Sequence, residues 1–329
     1  MEFLLAVFLS FVPALGCAAF VYWLDRYEKE PKLLLGLVFG WGAVVAVIGA
    51  IVAQLALGGA VTAISGSEKA ADVAGTTLFA PLTEESLKGL AVLGVFLLLR
   101  REFDSLLDGL VYAVVVALGF AATEDVLYLY GAAEEGGIPN MMSLFVLRIV
   151  MGIWDHPFYT SFIGIGLALA RLSRSSLVAF AAPVAGWAAA CFFHALHNTL
   201  AVVSEGTPFF LLTMLLVDWG GWLFMAILAL LAIRHEGRLL ASLLGEEVSY
   251  GFLTPQQYHI AISSWRRTGA SLRALGQGRF AATRRFYHLC GELAHKKHHY
   301  LQLGDETGNV AQIQQIRGEL AGLAPYVAA

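Results

Sequence analysis

The chain has 329 residues, of which 58% are hydrophobic and only 14% charged, with a mean hydropathy of +0.70. Soluble domains carry roughly a quarter charged residues, and here the deficit is confined to residues 1–233, which excludes an oily globular domain and indicates a membrane protein. The net charge of −4 is unevenly divided, with 10 Lys and Arg against 18 Asp and Glu in residues 1–233, and 11 against 7 in residues 234–329.

The first apolar run, near 3–24, has no Lys or Arg before it and is long enough to span, so it reads as a retained helix and not as a secretory leader. Further runs of about 20 apolar residues lie near 33–57, 78–99, 106–130, 143–170, 176–203 and 208–233. The fifth is too long for a straight span, and Pro157, just after Trp154-Asp155-His156, predicts a kink or local break there. Loops 25–32, 100–105 and 171–175 hold seven basic residues (Arg26, Lys29, Lys32, Arg100, Arg101, Arg171, Arg174), whereas the alternate loops hold only Lys69. That asymmetry predicts an extracytoplasmic N-terminus and a cytoplasmic C-terminus, as an odd number of spans requires.

Beyond residue 233 apolar residues recur at helical spacing through 255–300 and 309–323, with Gly304-Asp305-Glu306-Thr307-Gly308 between them as a turn. Within this region His295-Lys296-Lys297-His298-His299 is read as a solvated basic helix face near anionic lipid in preference to a metal site. Cys17, Cys191 and Cys290 are isolated and predict neither a disulfide framework nor a thiolate metal site. The expected fold is therefore all-α. A polytopic bundle of about seven transmembrane helices (1–233) is followed by a cytosolic basic helical region (234–329).

Ionisable residues inside membrane spans cost a few kcal/mol each, and each is a functional-site hypothesis. They are Glu84, Glu85 and Lys88 in the third span, Asp108, Glu124 and Asp125 in the fourth, Arg148, Asp155 and His156 in the fifth, His194 and His197 in the sixth beside Asn198, and Asp218 in the seventh. At about 1.5 Å per residue, Glu84, Glu85 and His156 sit roughly 23 Å above the basic cytoplasmic ends of their spans, Glu124 roughly 27 Å and His194 up to about 30 Å. Carboxylates and imidazoles from four helices thus share one level in the outer half of the bilayer. Glu84 and Lys88 are four apart and can pair on one face, as can His194 and Asn198. Histidine and carboxylate at three or four positions form the ligand set of an open zinc site, a spare carboxylate can act as general base, and a Lys or Asn can steady an oxyanion. Such an assembly hydrolyses peptides. The soluble zinc-protease pattern HExxH is absent.

At these residues the sequence resembles a known family. Thr83-Glu84-Glu85-Ser86-Leu87-Lys88 is similar to the EExxK motif of the PrsW intramembrane proteases, and Phe120-Ala121-Ala122-Thr123-Glu124 to their FxxxE motif. His156 fits the isolated histidine of the next helix, and His194-Ala195-Leu196-His197-Asn198 the final His motif. The resemblance covers roughly residues 1–230. It implies a membrane-embedded, metal-dependent protease that cuts a single-span substrate, such as an anti-sigma factor, near its extracytoplasmic face. The family is related to the CAAX prenyl endopeptidases, whose EExxxR and HxxxN motifs are similar but not the same. In those relatives the first Glu looks like the base. Here pairing of Glu84 with Lys88 would instead free Glu85, so both are named as candidates.

The expected site comprises Glu84, Glu85, Lys88 and Asn198 as catalytic groups, with Glu124, His156 and His194 holding zinc and His197 in a packing role. The expected partners are the lipid bilayer and a single-span membrane protein, with no nucleic acid; the oligomeric state is open. Two other readings fit parts of the sequence. A proton- or cation-coupled transporter also uses intramembrane Glu and His, though no internal repeat is visible. A non-catalytic receptor or scaffold explains the basic tail and leaves the level Glu and His set unexplained.

Overall fold

A computed structural model describes residues 1–25, 29–100, 103, 105–204, 207–305 and 308–327. Among these the regular elements are all helical. They are α1 (Glu2–Leu24), α2 (Lys32–Ser65), α3 (Glu68–Ala74), α4 (Ala80–Leu98), α5 (Leu106–Phe145), α6 (Asp155–Leu172), α7 (Ser176–Val203), α8 (Pro208–Ser249), α9 (Pro255–Ala261), α10 (Ser264–Leu275), α11 (Phe280–Leu303) and α12 (Asn309–Leu323). Among the described residues five stretches are long and apolar enough to cross a membrane: α1, α2, the continuous run Leu106–Leu172, α7 and α8. The run Leu106–Leu172 contains both the fourth and fifth expected spans. α4, the third expected span, carries Glu84, Glu85 and Lys88 within 19 residues.

The chain divides into two compact units, Met1–Leu24 with Glu30–Ala229, and Asp25–Lys29 with Leu230–Ala329. In the first unit α5 is the central element, packed against α1, α2, α4 and α6, while α6 packs along α7. A capping box starts α5: the Ser105 hydroxyl accepts from the backbone of Asp108, and the Asp108 carboxylate accepts from the backbone of Ser105. α5 is interrupted at Gly136 and at Gly137, whose φ of 71° only glycine adopts cheaply. The fifth expected span has the local break that Pro157 marks, and it lies just before the proline. Helix runs to Phe145, continues as a π-helical turn over Val146–Val150, opens at residues 151–154 and restarts at Asp155. Pro157 therefore lies in the first turn of α6, where a missing N–H costs no helical hydrogen bond. Two further π-helical turns, Trp41–Ala46 within α2 and Gly75–Phe79 before α4, lie in the same unit. The helices meet at small residues. A Cβ on Gly164 would lie 2.0 Å from the Gly109 carbonyl oxygen, and one on Gly119 would lie 2.1 Å from that of Phe39.

The second unit has its own core, built from Leu240, Leu244, Leu253, Ile260, Phe286, Leu289, Leu293, Ile313, Ile316 and Leu320. The histidine and lysine cluster of α11 is not the solvated face expected from the sequence. His295 and Lys297 are buried, and the Lys297 ammonium lies 2.8 Å from Glu247, which Arg317 also grips through two nitrogens at 2.6 and 2.9 Å. Glu247 is itself fully buried, and Lys297 and Arg317 together offset a charge that would be costly there unpaired. All three cysteines are free thiols.

The Gly109–Gly164 crossing yields a direct test. Gly164→Val forces two backbones apart and is expected to destabilise the protein by about 1–3 kcal/mol, lowering the unfolding temperature in detergent. Gly16→Ala is the control, because nothing lies within 4 Å of a Cβ there; its unfolding temperature is expected to match the wild type.

Candidate active site

Consecutive residues on a helix point about 100° apart, so Glu84 and Glu85 cannot face the same space. Glu84 lines a cavity of about 930 Å³ together with Gln54, Glu124, Arg148, Asp155, His156, Tyr159, His194, His197, Asn198 and Asp218. Glu85 faces the helix packing instead and is fully buried. Its carboxylate accepts from Lys88 at 2.5 Å, from the Thr160 hydroxyl at 2.8 Å and from His194 Nδ1 at 2.9 Å. One side chain thereby joins α4, α6 and α7.

The sequence expectation for Lys88 is corrected here. It pairs with Glu85 three residues back, not with Glu84 four residues back. Its ammonium also lies 3.1 Å from His156 Nδ1 and over the ring of Phe120 at 4.5 Å. The i,i+3 pair turns the charge into the bundle, where it neutralises the deeper carboxylate. Glu84 is left with its Oε1 accepting from Gln54 at 3.1 Å and its Oε2 buried without a hydrogen-bond partner among the described residues.

Three of the expected residues converge. Glu84, His156 and His194 each offer one ligand atom, and these atoms lie within 4.8 Å of one another. His194 Nε2 is 3.8 Å from Glu84 Oε2, and the two imidazole rings are edge to face with centroids 5.2 Å apart. Glu124 joins the set through His156, whose Nε2 lies 2.9 Å from its Oε2. Arg148 anchors Glu124 at 2.6 Å and Asp125 at 2.7 Å, and its guanidinium stacks on Tyr128 at 3.9 Å. Asn198 lies outside the group. It lines the cavity, and its amide donates to the Thr76 carbonyl in the π-helical turn before α4 at 2.9 Å. His197 Nδ1 donates to the Asp218 carboxylate at 2.9 Å.

The residues present fit a divalent cation. Two imidazoles from neighbouring helices beside carboxylates are the donor types of such a site, and the unpartnered Oε2 of Glu84, 3.8 Å from His194 Nε2, leaves room beside them for the ion or a water bound to it. Glu85 accepting from His194 Nδ1 is the outer carboxylate that commonly orients a ligating histidine.

Sequence reading passed over Gln54, Tyr159 and Thr160, because none of them is ionisable at neutral pH. Gln54 carried a readable signal, as it is the sole amide side chain in the run 33–57. Tyr159 stacks on His194 with centroids 5.0 Å apart and donates to Asp218 at 3.2 Å.

Comparisons with known proteins identify the family. Residues 30–231 match the PrsW family of intramembrane metalloproteases. The chain is 26% identical to the protease PrsW of Geobacillus kaustophilus over 211 residues, 63% of this chain and 84% of the relative. It is 31% identical to the protease PrsW of Clostridioides difficile over 147 residues, 44% of this chain and 58% of that relative. No solved structure matches.

The contrast between the adjacent glutamates is testable by stability alone. Lys88→Met leaves Glu85 buried without its cation and is expected to cost about 3–5 kcal/mol. Glu84→Gln removes no ion pair of comparable length and is expected to stay within about 1 kcal/mol of wild type. Unfolding temperatures in detergent measure both, and equal losses would show that Glu84 also carries structural weight.

Proposed function

The chain belongs to the PrsW family of intramembrane metalloproteases, and from that premise we propose that it hydrolyses a peptide bond of a single-span membrane protein, of the anti-sigma-factor kind, near the extracytoplasmic face. It is a membrane peptidase, so the transporter and scaffold readings fall away. The observation that carries the reading of the site is the free, buried Oε2 of Glu84 facing His194 across the cavity.

We assign His156, His194 and Glu124 to hold the cation, which we take to be zinc. Arg148 holds Glu124 as an anion, which suits a ligand. A zinc ion held there would polarise a peptide carbonyl and lower the pKa of a bound water towards neutrality. Glu84 is the general base: Gln54 fixes one oxygen, and the other is free to take a proton from water and return it to the leaving nitrogen. Glu85 and Lys88 are positioning residues, Glu85 by setting the ring of His194 and Lys88 by neutralising Glu85. Asn198 retains one amide N–H beyond its bond to Thr76 and is the side chain we assign to the developing oxyanion.

In topology we propose seven spans, with α4 and the two halves of Leu106–Leu172 as separate crossings. The N-terminus is outside, and residues 234–329 form a cytosolic unit that does no chemistry. The basic loops support this orientation. The second unit's histidine cluster is partly buried beside an ion-paired lysine, which supports a structural role.

Two measurements test the proposal. With a reconstituted single-span substrate, Glu84→Gln, Glu124→Gln, His156→Asn and His194→Asn are each expected to lower the cleavage rate by several orders of magnitude. Chelation is expected to abolish cleavage and zinc to restore it. Near-wild-type cleavage by two of these variants would sink the assignment. For topology, a cysteine at the exposed Tyr300 (Tyr300→Cys) is expected to react with an impermeant maleimide in inverted vesicles and not in right-side-out ones.

A further inference from the structure

The cavity that holds Glu84 contains a second group of ligating side chains, and the proposed chemistry leaves it unused. Asp155, His197 and Asp218 each offer one ligand atom, and these atoms lie within 4.8 Å of one another. They come from the first turn of α6, the outer part of α7 and α8. Asp218 is buried, with Oδ1 accepting from Tyr159 at 3.2 Å and Oδ2 facing His197 Nδ1 at 2.9 Å. Asp155 Oδ1 accepts from the Trp222 indole at 3.2 Å. Among the described residues, Asp155 Oδ2 and His197 Nε2 have no hydrogen-bond partner, and both residues line the cavity.

Charge points the same way. In and immediately behind the cavity wall stand six carboxylates, those of Glu84, Glu85, Glu124, Asp125, Asp155 and Asp218, against two permanent cations, Lys88 and Arg148. Lys88 is committed to Glu85, and Arg148 to Glu124 and Asp125. Counted with every carboxylate ionised, the formal excess is four acidic groups at a depth where uncompensated charge is expensive. The exposed Glu68 and Asp72, which also line the cavity, add to the excess. One divalent cation at the first site would offset half of it, and the remainder is centred on Asp155 and Asp218, which no Lys or Arg among the described residues pairs with.

We propose that Asp155, His197 and Asp218 bind a second divalent cation, of the class that accepts one imidazole and two carboxylates, such as zinc or manganese. His197 is one turn beyond His194, so their Cβ atoms are about 5–6 Å apart. Tyr159 links the two centres, since its ring stacks on His194 while its hydroxyl donates to Asp218. Occupancy of the second centre therefore fixes the orientation of a ligand of the first. The alternative arrangement is a proton-sharing relay in which Asp155 and Asp218 are held together by hydrogen bonds without a metal.

The test is metal stoichiometry of the full-length protein in detergent. The protein is stripped with chelator, reloaded with zinc chloride, desalted and analysed by mass spectrometry for zinc per chain. The expected result is two zinc ions in the wild type and one in Asp155→Asn/Asp218→Asn. His156→Asn/His194→Asn is expected to retain one, which is the second-site ion. A wild type with a single ion that the Asp155/Asp218 variant retains and the His156/His194 variant loses would overturn the second site and leave the first intact. A single ion with the opposite dependence would support the second site and remove the first. Zinc-free wild type, or two ions retained in Asp155→Asn/Asp218→Asn, would overturn the proposal. If the double variant fails to fold, His197→Gln serves in its place. It is expected to weaken one of the two zinc affinities at least about tenfold, and two unchanged affinities would overturn the site.

Discussion

The ion pair between Glu85 and Lys88 is the interaction on which the site depends. Both groups are fully buried in an apolar bundle, where removing one partner of such a pair leaves a charge with nothing to offset it. The cost of burying them is offset only because Glu85 accepts from three donors on three helices, while Lys88 also reaches His156 and the face of Phe120. The helices therefore cannot slide or rotate independently. Glu85 fixes the ring of His194, and the helical offset of 100° between neighbours then leaves Glu84 facing the cavity. One residue of the doubled glutamate thus holds the helices in position, and the other is left facing the cavity.

Positioning at this depth also needs close backbones. At the Gly109–Gly164 and Gly119–Phe39 crossings no Cβ fits, so α5 meets α6 and α2 at near-backbone contact. α5 carries Glu124 and Asp125, and α6 carries His156 and Asp155, so the same small residues that bring the helices together set the distance between Glu124 and His156. A methyl group added at either crossing would act on the site through the backbone.

Much of this was legible in the sequence, because membrane burial makes ionisable residues rare and each one conspicuous. The rise per residue placed Glu84, Glu124, His156 and His194 at one level, and three of those four come together with ligand atoms within 4.8 Å. Spacing alone could not choose between i,i+3 and i,i+4 for Lys88, since a flexible stem reaches both, and the choice was made by where the bundle needed a cation. Gln54, Tyr159 and Thr160 stayed hidden because a neutral polar residue in an apolar run carries little cost to notice. Pro157 marks the local break that the sequence indicates, and it sits just past the break because a proline is best tolerated in the first turn of a new helix. In the second unit the run His295–His299 has a solvated composition, and partners distant in sequence, Leu243, Glu246 and Glu247, explain why Lys297 is inside.

The irregular backbone around the site follows from the same constraint. In an apolar medium every carbonyl freed from a helix must find another donor, and the three π-helical turns and the opening at residues 151–154 free several. Side chains supply donors to backbone in or next to these segments. Thr123 donates to Ala43 at 2.8 Å, Asn198 to Thr76 at 2.9 Å and Trp219 to Met151 at 3.3 Å. Each bond crosses between helices, so each irregular segment is tied to a neighbour at the point where it departs from α-helix. Thr123 and Asn198 lie next to or four residues from Glu124 and His194, and Met151 is followed by the turn that delivers Asp155 and His156. Local unwinding at this depth is therefore tolerated because the helices that carry the site residues also carry the donors that compensate it, which ties the deformed backbone and the site into one packed unit.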